Sequence, residues 1–291
     1  MTFKGTYTAI VTPFKGGKID FDAYGALIER QIAANVEGIV PVGTTGESAT
    51  MSHEEHMEVV SFAVKAVRKR CQLIAGAGSN ATAEAVRLTA YAAEVGADGA
   101  LLVSPYYNKP TQEGLYLHYR KIAESVKGFP LIVYNVPGRT GKAIEPVTVA
   151  RLAAIEGIAA LKEAGGSVDV VSDVLSRASI TVLSGDDSLT VPMIAVGAKG
   201  VISVVSNLFP ADVKACVDAA LAGRPDEARA LHARLLPVVR LIFVENNPMG
   251  VKTALSLMGV VPYEVRLPLC EMQPGNVERL KAALFAYQEN G

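Results

Sequence analysis

The chain has 291 residues, half of them hydrophobic and a fifth charged, a composition that supports a large buried core and argues against disorder. With 28 Lys+Arg against 29 Asp+Glu the net charge is −1, so no basic face is implied and nucleic acid is not an expected partner. The apolar runs are strand-sized, well short of the roughly 18 residues that would span a membrane, and Met1-Thr2-Phe3-Lys4-Gly5 lacks the apolar stretch of a signal peptide. Three scattered cysteines without a CxxC pair suit a reducing, cytoplasmic setting.

Strand-like runs and helix-length segments alternate along the chain. The first run is Thr6–Thr12, followed by a helix over Asp22–Asn35. Gly38–Val42 leads to His53–Lys69, where Ser52 is a helix cap and Glu55 sits at the reciprocal capping position. Gln72–Gly76 precedes a helix over Ala83–Val95, opened by Asn80 or Thr82. Gly99–Ser104 and Thr111–Val126 follow, then Pro130–Asn135 and Pro146–Ala154, Gly157–Lys162 and Ser167–Ser176, Ile180–Ser184 and Leu189–Val196, and Gly200–Val204 and Ala211–Ala222. The strands are nearly continuous in Val, Ile, Leu and Ala, as in parallel sheets buried on both faces. Eight such units in succession predict a closed (β/α)8 TIM barrel over residues 1–224. A doubly wound open sheet is the alternative, but Thr12-Pro13-Phe14 does not resemble the glycine-rich turn that usually follows its first strand. Beyond Gly223-Arg224-Pro225, residues 225–291 read as a helical extension packed on the barrel, with helices at Asp226–Phe243, Gly250–Met258 and Gly275–Gln288.

Barrel enzymes carry their chemistry at the C-terminal ends of the strands. Residues at those ends are Gly43-Thr44-Thr45-Gly46-Glu47, Pro105-Tyr106-Tyr107-Asn108, Tyr134-Asn135 with Val136-Pro137-Gly138-Arg139-Thr140, Lys162, and Gly185-Asp186-Asp187. An amine ending an apolar strand is partly desolvated, which lowers its pKa, and a neutral amine attacks ketones to form a Schiff base. The competing reading is a lysine reaching out of the barrel toward Glu163. Tyr134 is either a proton shuttle or a core tyrosine with a satisfied hydroxyl. The Thr44-Thr45 loop could hold a carboxylate on its N–H groups or be a bare turn. Arg139 offers a fork for a carboxylate or is simply exposed. His53-Glu54-Glu55-His56 is not the HExxH zinc pattern, so no metal site is expected, and a histidine pair three apart is most simply a solvated helix face.

In combination these motifs resemble the family of lysine-dependent class I aldolases that comprises dihydrodipicolinate synthase and N-acetylneuraminate lyase. Gly43-Thr44-Thr45-Gly46-Glu47-Ser48, Ser104 to Pro110, Tyr134 to Thr140, Leu161 to Ala164, Ser184 to Asp187 and Gly200 to Val204 all follow in order and spacing, over nearly the whole chain. The resemblance implies a lyase that condenses pyruvate with L-aspartate 4-semialdehyde, giving 4-hydroxy-tetrahydrodipicolinate for diaminopimelate and lysine biosynthesis. It implies no metal or organic cofactor, because the lysine is itself the electron sink. Lys162 would form the imine, with Tyr134 as proton donor and acceptor. Thr44, Tyr134 and Tyr107 would form a proton relay, Tyr107 coming from a neighbouring subunit. Thr45 and the backbone of Ile202 would hold pyruvate, Arg139 would receive the carboxylate of the semialdehyde, and Gly185, Asp186 and Asn247 would shape the pocket. Ser48, Ala49, His53, His56, Asn80, Glu84 and Tyr106 match the family's site for feedback inhibition by L-lysine, and homotetramers built from tight dimers are implied. Gly165 and Gly250 depart from the usual Ser/Thr and Pro. A sialate-lyase-like aldolase using the same lysine is the nearest alternative. A barrel acting only as a sensor would have lost the reactive side chains, which are all present.

Overall fold

In the computed structural model, which describes residues 2–289, eight parallel strands close into a barrel wrapped by helices. The outer ends of the two expected units, at residues 1, 290 and 291, lie outside that description.

In chain order, β1 (Gly5–Ala9) leads into a small antiparallel hairpin, β2 (Phe14–Lys15) and β3 (Lys18–Ile19), and then α1 (Phe21–Ala33). β4 (Gly38–Val40) and α2 (His53–Val67) follow, then β5 (Gln72–Gly76) and α3 (Thr82–Glu94), β6 (Gly99–Val103) and α4 (Gln112–Ser125). β7 (Leu131–Asn135) is followed by a short helical turn α5 (Pro137–Thr140) and by α6 (Pro146–Ala153). β8 (Ile158–Glu163), α7 (Val168–Arg177), β9 (Thr181–Ser184), α8 (Thr190–Ala195), β10 (Gly200–Ser203) and α9 (Pro210–Leu221) complete the ring. β1 pairs with both β4 and β10 and closes it. Three more helices follow: α10 (Pro225–Ile242) packs on α9, α11 (Met249–Leu257) on α10, and α12 (Pro274–Glu289) on both α10 and α11.

The eight βα units stand where the alternating pattern put them, with local differences. The first strand stops at Ala9; the Ile10 N–H still reaches the Val40 carbonyl at 3.2 Å, and the chain then runs to the unpredicted hairpin at Gly16-Gly17. Ser52 and Glu55 form the reciprocal cap expected at α2. At α3 the cap is neither Asn80 nor Thr82 but Ala81, which has no capping side chain; the Ser79 hydroxyl accepts the Ala81 N–H instead.

The strand period of two sorts side chains between two apolar regions. Phe3, Tyr7, Val40, Ile74, Leu101, Ile132, Tyr134, Ala160, Leu183 and Ile202 fill the barrel interior. Alternate positions such as Leu131, Val133, Leu161 and Val182 pack outward beneath the helices. Along β8 this alternation sends Ala160 and Lys162 inward and Leu161 and Glu163 outward.

Candidate active site

Tyr134 on β7 pairs in register with Lys162 on β8, so the two side chains rise from neighbouring strands on the same face. The Lys162 ammonium nitrogen lies 4.2 Å from the centroid of the Tyr134 ring. Lys162 is only 5% exposed and Tyr134 7%. Burial brings the Lys162 pKa down to about 8, against the opposing pull of Asp186 and Asp187. Burial pushes the Tyr134 phenol up to about 12, tempered by the Arg139 charge and by a hydrogen bond with the Thr44 side chain. An amine titrating near 8 is roughly a tenth neutral at pH 7, about 300-fold more than an unperturbed lysine. The arrangement therefore supplies a nucleophilic amine beside a phenol that stays protonated at neutral pH.

Glu163 does not draw Lys162 out of the barrel. It points the other way, is buried, and accepts from Asn135 Nδ2 at 2.9 Å and from the Gly165 N–H at 2.7 Å. Burial raises its carboxyl to about 6, although both hydrogen bonds favour the anion. Asn135 Oδ1 in turn accepts the Ile144 N–H at 2.9 Å, so this outward pair stitches together the loops after β7 and β8.

The loop after β4 brings Gly43, Thr44 and Thr45 over the lysine. These residues, with Ser48, Gly76, Ala77, Tyr134, Arg139, Lys162, Gly185, Asp186, Val204, Phe243 and Asn247 among others, line one cavity of about 220 Å³ at the C-terminal mouth of the barrel. Thr45 is buried, and its hydroxyl accepts from Asn247 Nδ2 at 2.9 Å. Arg139, on α5, donates to the Asn247 carbonyl at 3.2 Å. Gly185 sits so close to the lysine that a Cβ there would lie 2.8 Å from Lys162 Cε, so a side chain at this position would displace the amine. Burial raises the Asp186 carboxyl, while a hydrogen bond from the Gly166 backbone and the Lys162 charge lower it. Ile202 is fully buried in the barrel interior and is not among the lining residues; two residues on, Val204 is.

Tyr107 stands apart. It is 90% exposed, has a positive φ of 70°, and does not line its own chain's cavity. Tyr106 beside it is 40% exposed.

The other predicted group lies between Ser48 and His56 and between Asn80 and Glu84, with Tyr106 on the loop after β6. Ser48 and Ala49 open a tight turn (Ser48–Thr50) that leads into α2. His53 is not a bare solvated ring: its Nε2 pairs with Glu84, and its Nδ1 accepts from Arg87. Glu84 also takes the Ser79 hydroxyl. His56 is buried, which lowers its pKa, and its Nε2 lies 2.8 Å from the Gly76 carbonyl. A carbonyl only accepts, so Nε2 carries the proton and Nδ1 is left as the acceptor. Gly76 also lines the cavity, so His56 touches the cavity wall from behind. The Asn80 carbonyl accepts from Asn108 at 2.9 Å, tying this cluster to the Tyr106-Tyr107 loop.

Asn247, expected in the pocket, reaches the cavity from the α10–α11 connection, and with it comes Phe243, which sequence reasoning passed over. Lys252 and Glu47 form a buried ion pair beneath the Thr44-Thr45 loop. A signal was present for the lysine, which is the one charged residue in the apolar stretch 248–258. Among the described residues no group of three or more His, Cys, Asp or Glu could hold a metal ion, and no helix is long and apolar enough to cross a membrane.

Comparison with known proteins adds four observations. The profile of the Dihydrodipicolinate synthetase family matches residues 2–287. The chain is 54% identical over 287 residues to a 4-hydroxy-tetrahydrodipicolinate synthase from Syntrophus aciditrophicus, covering 98% of each chain. Among solved structures it superposes with a TM-score of 0.96 and 42% identity on the dihydrodipicolinate synthase of Acinetobacter baumannii complexed with pyruvate, covering 99% of each chain. It superposes with a TM-score of 0.95 and 37% identity on that of Cyanidioschyzon merolae with lysine bound, covering 98% of each.

Proposed function

The chain belongs to the dihydrodipicolinate synthetase family, and we propose that it condenses pyruvate with L-aspartate 4-semialdehyde through an imine on Lys162. It is an enzyme, a lyase like its named relatives. The observation that carries the finer reading is the desolvated amine of Lys162 set 4.2 Å from the Tyr134 ring and lining a cavity of about 220 Å³.

The chemistry then runs as follows. Neutral Lys162 adds to the pyruvate carbonyl carbon, and loss of water gives the imine. Removal of a methyl proton gives the enamine, whose terminal carbon attacks the aldehyde carbon of the semialdehyde. The alkoxide formed takes a proton from Tyr134, which Thr44 helps to resupply. The amine of the second substrate attacks the imine carbon and displaces Lys162, closing the ring and freeing the enzyme. In total one water leaves and 4-hydroxy-tetrahydrodipicolinate is released. The N–H groups around Thr44 and Thr45 hold the pyruvate carboxylate, while Gly185, Asp186 and Asn247 shape the space for the second substrate. Tyr107, turned outward, serves the site of a neighbouring subunit in a tetramer of tight dimers, and the product feeds diaminopimelate and lysine synthesis in the cytoplasm.

A sialate-lyase-like aldolase would share the lysine and tyrosine. Two features favour the smaller substrate. The cavity, about 220 Å³, falls below the roughly 300–1,000 Å³ common for larger organic ligands. Arg139 on its rim answers a second carboxylate, which the semialdehyde has. Steady-state condensation of pyruvate with aspartate semialdehyde, run beside cleavage of N-acetylneuraminate, tests the choice; a faster second reaction overturns it. Arg139→Ala should raise KM for the semialdehyde by roughly ten- to 150-fold, the worth of a charge-assisted hydrogen bond, and leave KM for pyruvate nearly unchanged. Equal rises for both substrates, with the fold intact by circular dichroism, would remove Arg139 from that role.

The cluster of Ser48, Ala49, His53, His56, Asn80, Glu84 and Tyr106 is the proposed site of feedback inhibition by L-lysine, a reading supported by the lysine-bound relative. Glu84 offers its carboxylate to an ammonium group, Asn80 and Tyr106 offer donors to the carboxylate, and the free Nδ1 of His56 accepts. Millimolar L-lysine should inhibit, and Glu84→Gln should weaken its binding about tenfold by calorimetry. Absence of any heat from the unaltered protein would dismiss the inhibitor site and leave the catalytic reading standing.

A further inference from the structure

The carboxylate-holding loop is fastened from below by a buried ion pair. Lys252, on α11, meets Glu47 with the two side chains 2% and 0% exposed. Lys252 also donates to the Glu264 carbonyl at 2.8 Å, and the second Glu47 oxygen accepts the Arg266 N–H at 3.2 Å. Phe14 of the hairpin lies beneath both cations, its ring centroid 4.3 Å from Lys252 Nζ and 4.4 Å from Arg266 Cζ. The Arg266 fork binds Glu55 at the head of α2, the Thr50 carbonyl at 3.1 Å and the Gly17 carbonyl at 2.7 Å.

Glu47 is itself part of the loop over Lys162. Its N–H donates to the Thr44 carbonyl at 3.1 Å, and its carbonyl accepts from the Thr50 N–H and hydroxyl. Its φ of 58° turns the chain there. Five residues before Lys252, Asn247 grips Thr45. The loop is thus held at Thr45 and at Glu47 by one short stretch of chain around the start of α11. Gly250 lets that stretch sit where it does, since a Cβ there would lie 2.3 Å from the Ile242 carbonyl oxygen at the end of α10.

A buried ion pair is weak support for stability, because desolvating both charges offsets their attraction, and apolar replacements of similar volume are often neutral. Its placement under this loop suggests a different use. We propose that Glu47 and Lys252 are positioning residues that fix the Thr44-Thr45 backbone over Lys162 and thereby set the enzyme's affinity for the carboxylate of its 2-oxo acid substrate. The inference rests on the reading above, in which that loop holds pyruvate.

The test uses the full-length protein, with borohydride trapping at Lys162 measured against pyruvate concentration, beside the semialdehyde KM and the melting temperature. Two variants are needed. Lys252→Met leaves a buried carboxylate without its cation and is expected to melt lower. The double variant Glu47→Gln/Lys252→Met has no buried charge and is expected to regain the melting temperature. In each variant that folds, half-maximal trapping should need about tenfold more pyruvate, as when one charge-assisted hydrogen bond is lost, with the semialdehyde KM little changed. Folded variants with unaltered half-saturation, or with only a smaller active fraction, would make the pair a purely structural staple and overturn the proposal. Failure to trap pyruvate on the unaltered protein would instead overturn the proposed function itself.

Discussion

Lys162→Ala is expected to reduce condensation by about 10⁴- to 10⁶-fold, the scale on which loss of a covalent nucleophile acts. Nucleophile and electron sink leave together, and among the described residues no other lysine lines the cavity. The variant should fold, and the sign of the pKa shift says how its stability should move. The folded-state value of about 8 lies below the 10.5 of a free lysine, so between these values the unfolded chain binds more protons and stability rises with pH. Below pH 8 the full cost of burying the ammonium is present. Alanine removes that cost, so at pH 7 the melting temperature should hold or rise, partly offset by the void left behind. The same titration makes the unaltered enzyme's rate of imine formation climb with pH up to about 8 and then level off. Stopped-flow kinetics across pH 6 to 9 would check the shape, and a flat profile would contradict the assignment of the titrating amine.

Tyr134→Phe is expected to lower kcat by about 10²- to 10⁴-fold, the usual worth of a positioned proton donor. The ring that packs 4.2 Å from Lys162 is kept, so the change removes little besides the hydroxyl. Its phenol, pushed up to about 12, is a donor at neutral pH, and the Thr44 hydroxyl is the neighbour placed to exchange protons with it. Pyruvate should still be trapped on Lys162 in this variant, because amine attack precedes the main demand on the phenol. Trapping and turnover lost in equal measure would mean that Tyr134 shapes the amine's pocket and does not move the proton.

The barrel was legible because strands buried on both faces read as unbroken apolar runs, and eight of them alternate with amphipathic segments. The same continuity hid which face Lys162 takes; only the register with Tyr134 on β7 decides it. The β2–β3 hairpin was overlooked because each strand is two residues long, although Gly16-Gly17, both at positive φ, was a visible turn signal. The loop residues Thr44, Thr45 and Arg139 were found from strand ends and motif order, and the structure gathers all three around one cavity. Glu47 and Lys252 were not found as a pair because they are 205 residues apart, and nothing local to either names the other. Tyr107 is 90% exposed and stands outside its own chain's cavity, a placement that no local sequence signal specifies.

Covalent capture tests the central claim most directly. The protein is incubated with pyruvate, reduced with borohydride, digested and mapped by mass spectrometry. A reduced pyruvyl adduct on the peptide bearing Lys162, and on no other lysine, is the predicted result. An adduct on a different lysine with Lys162 unmodified, or no adduct at saturating pyruvate, would contradict it.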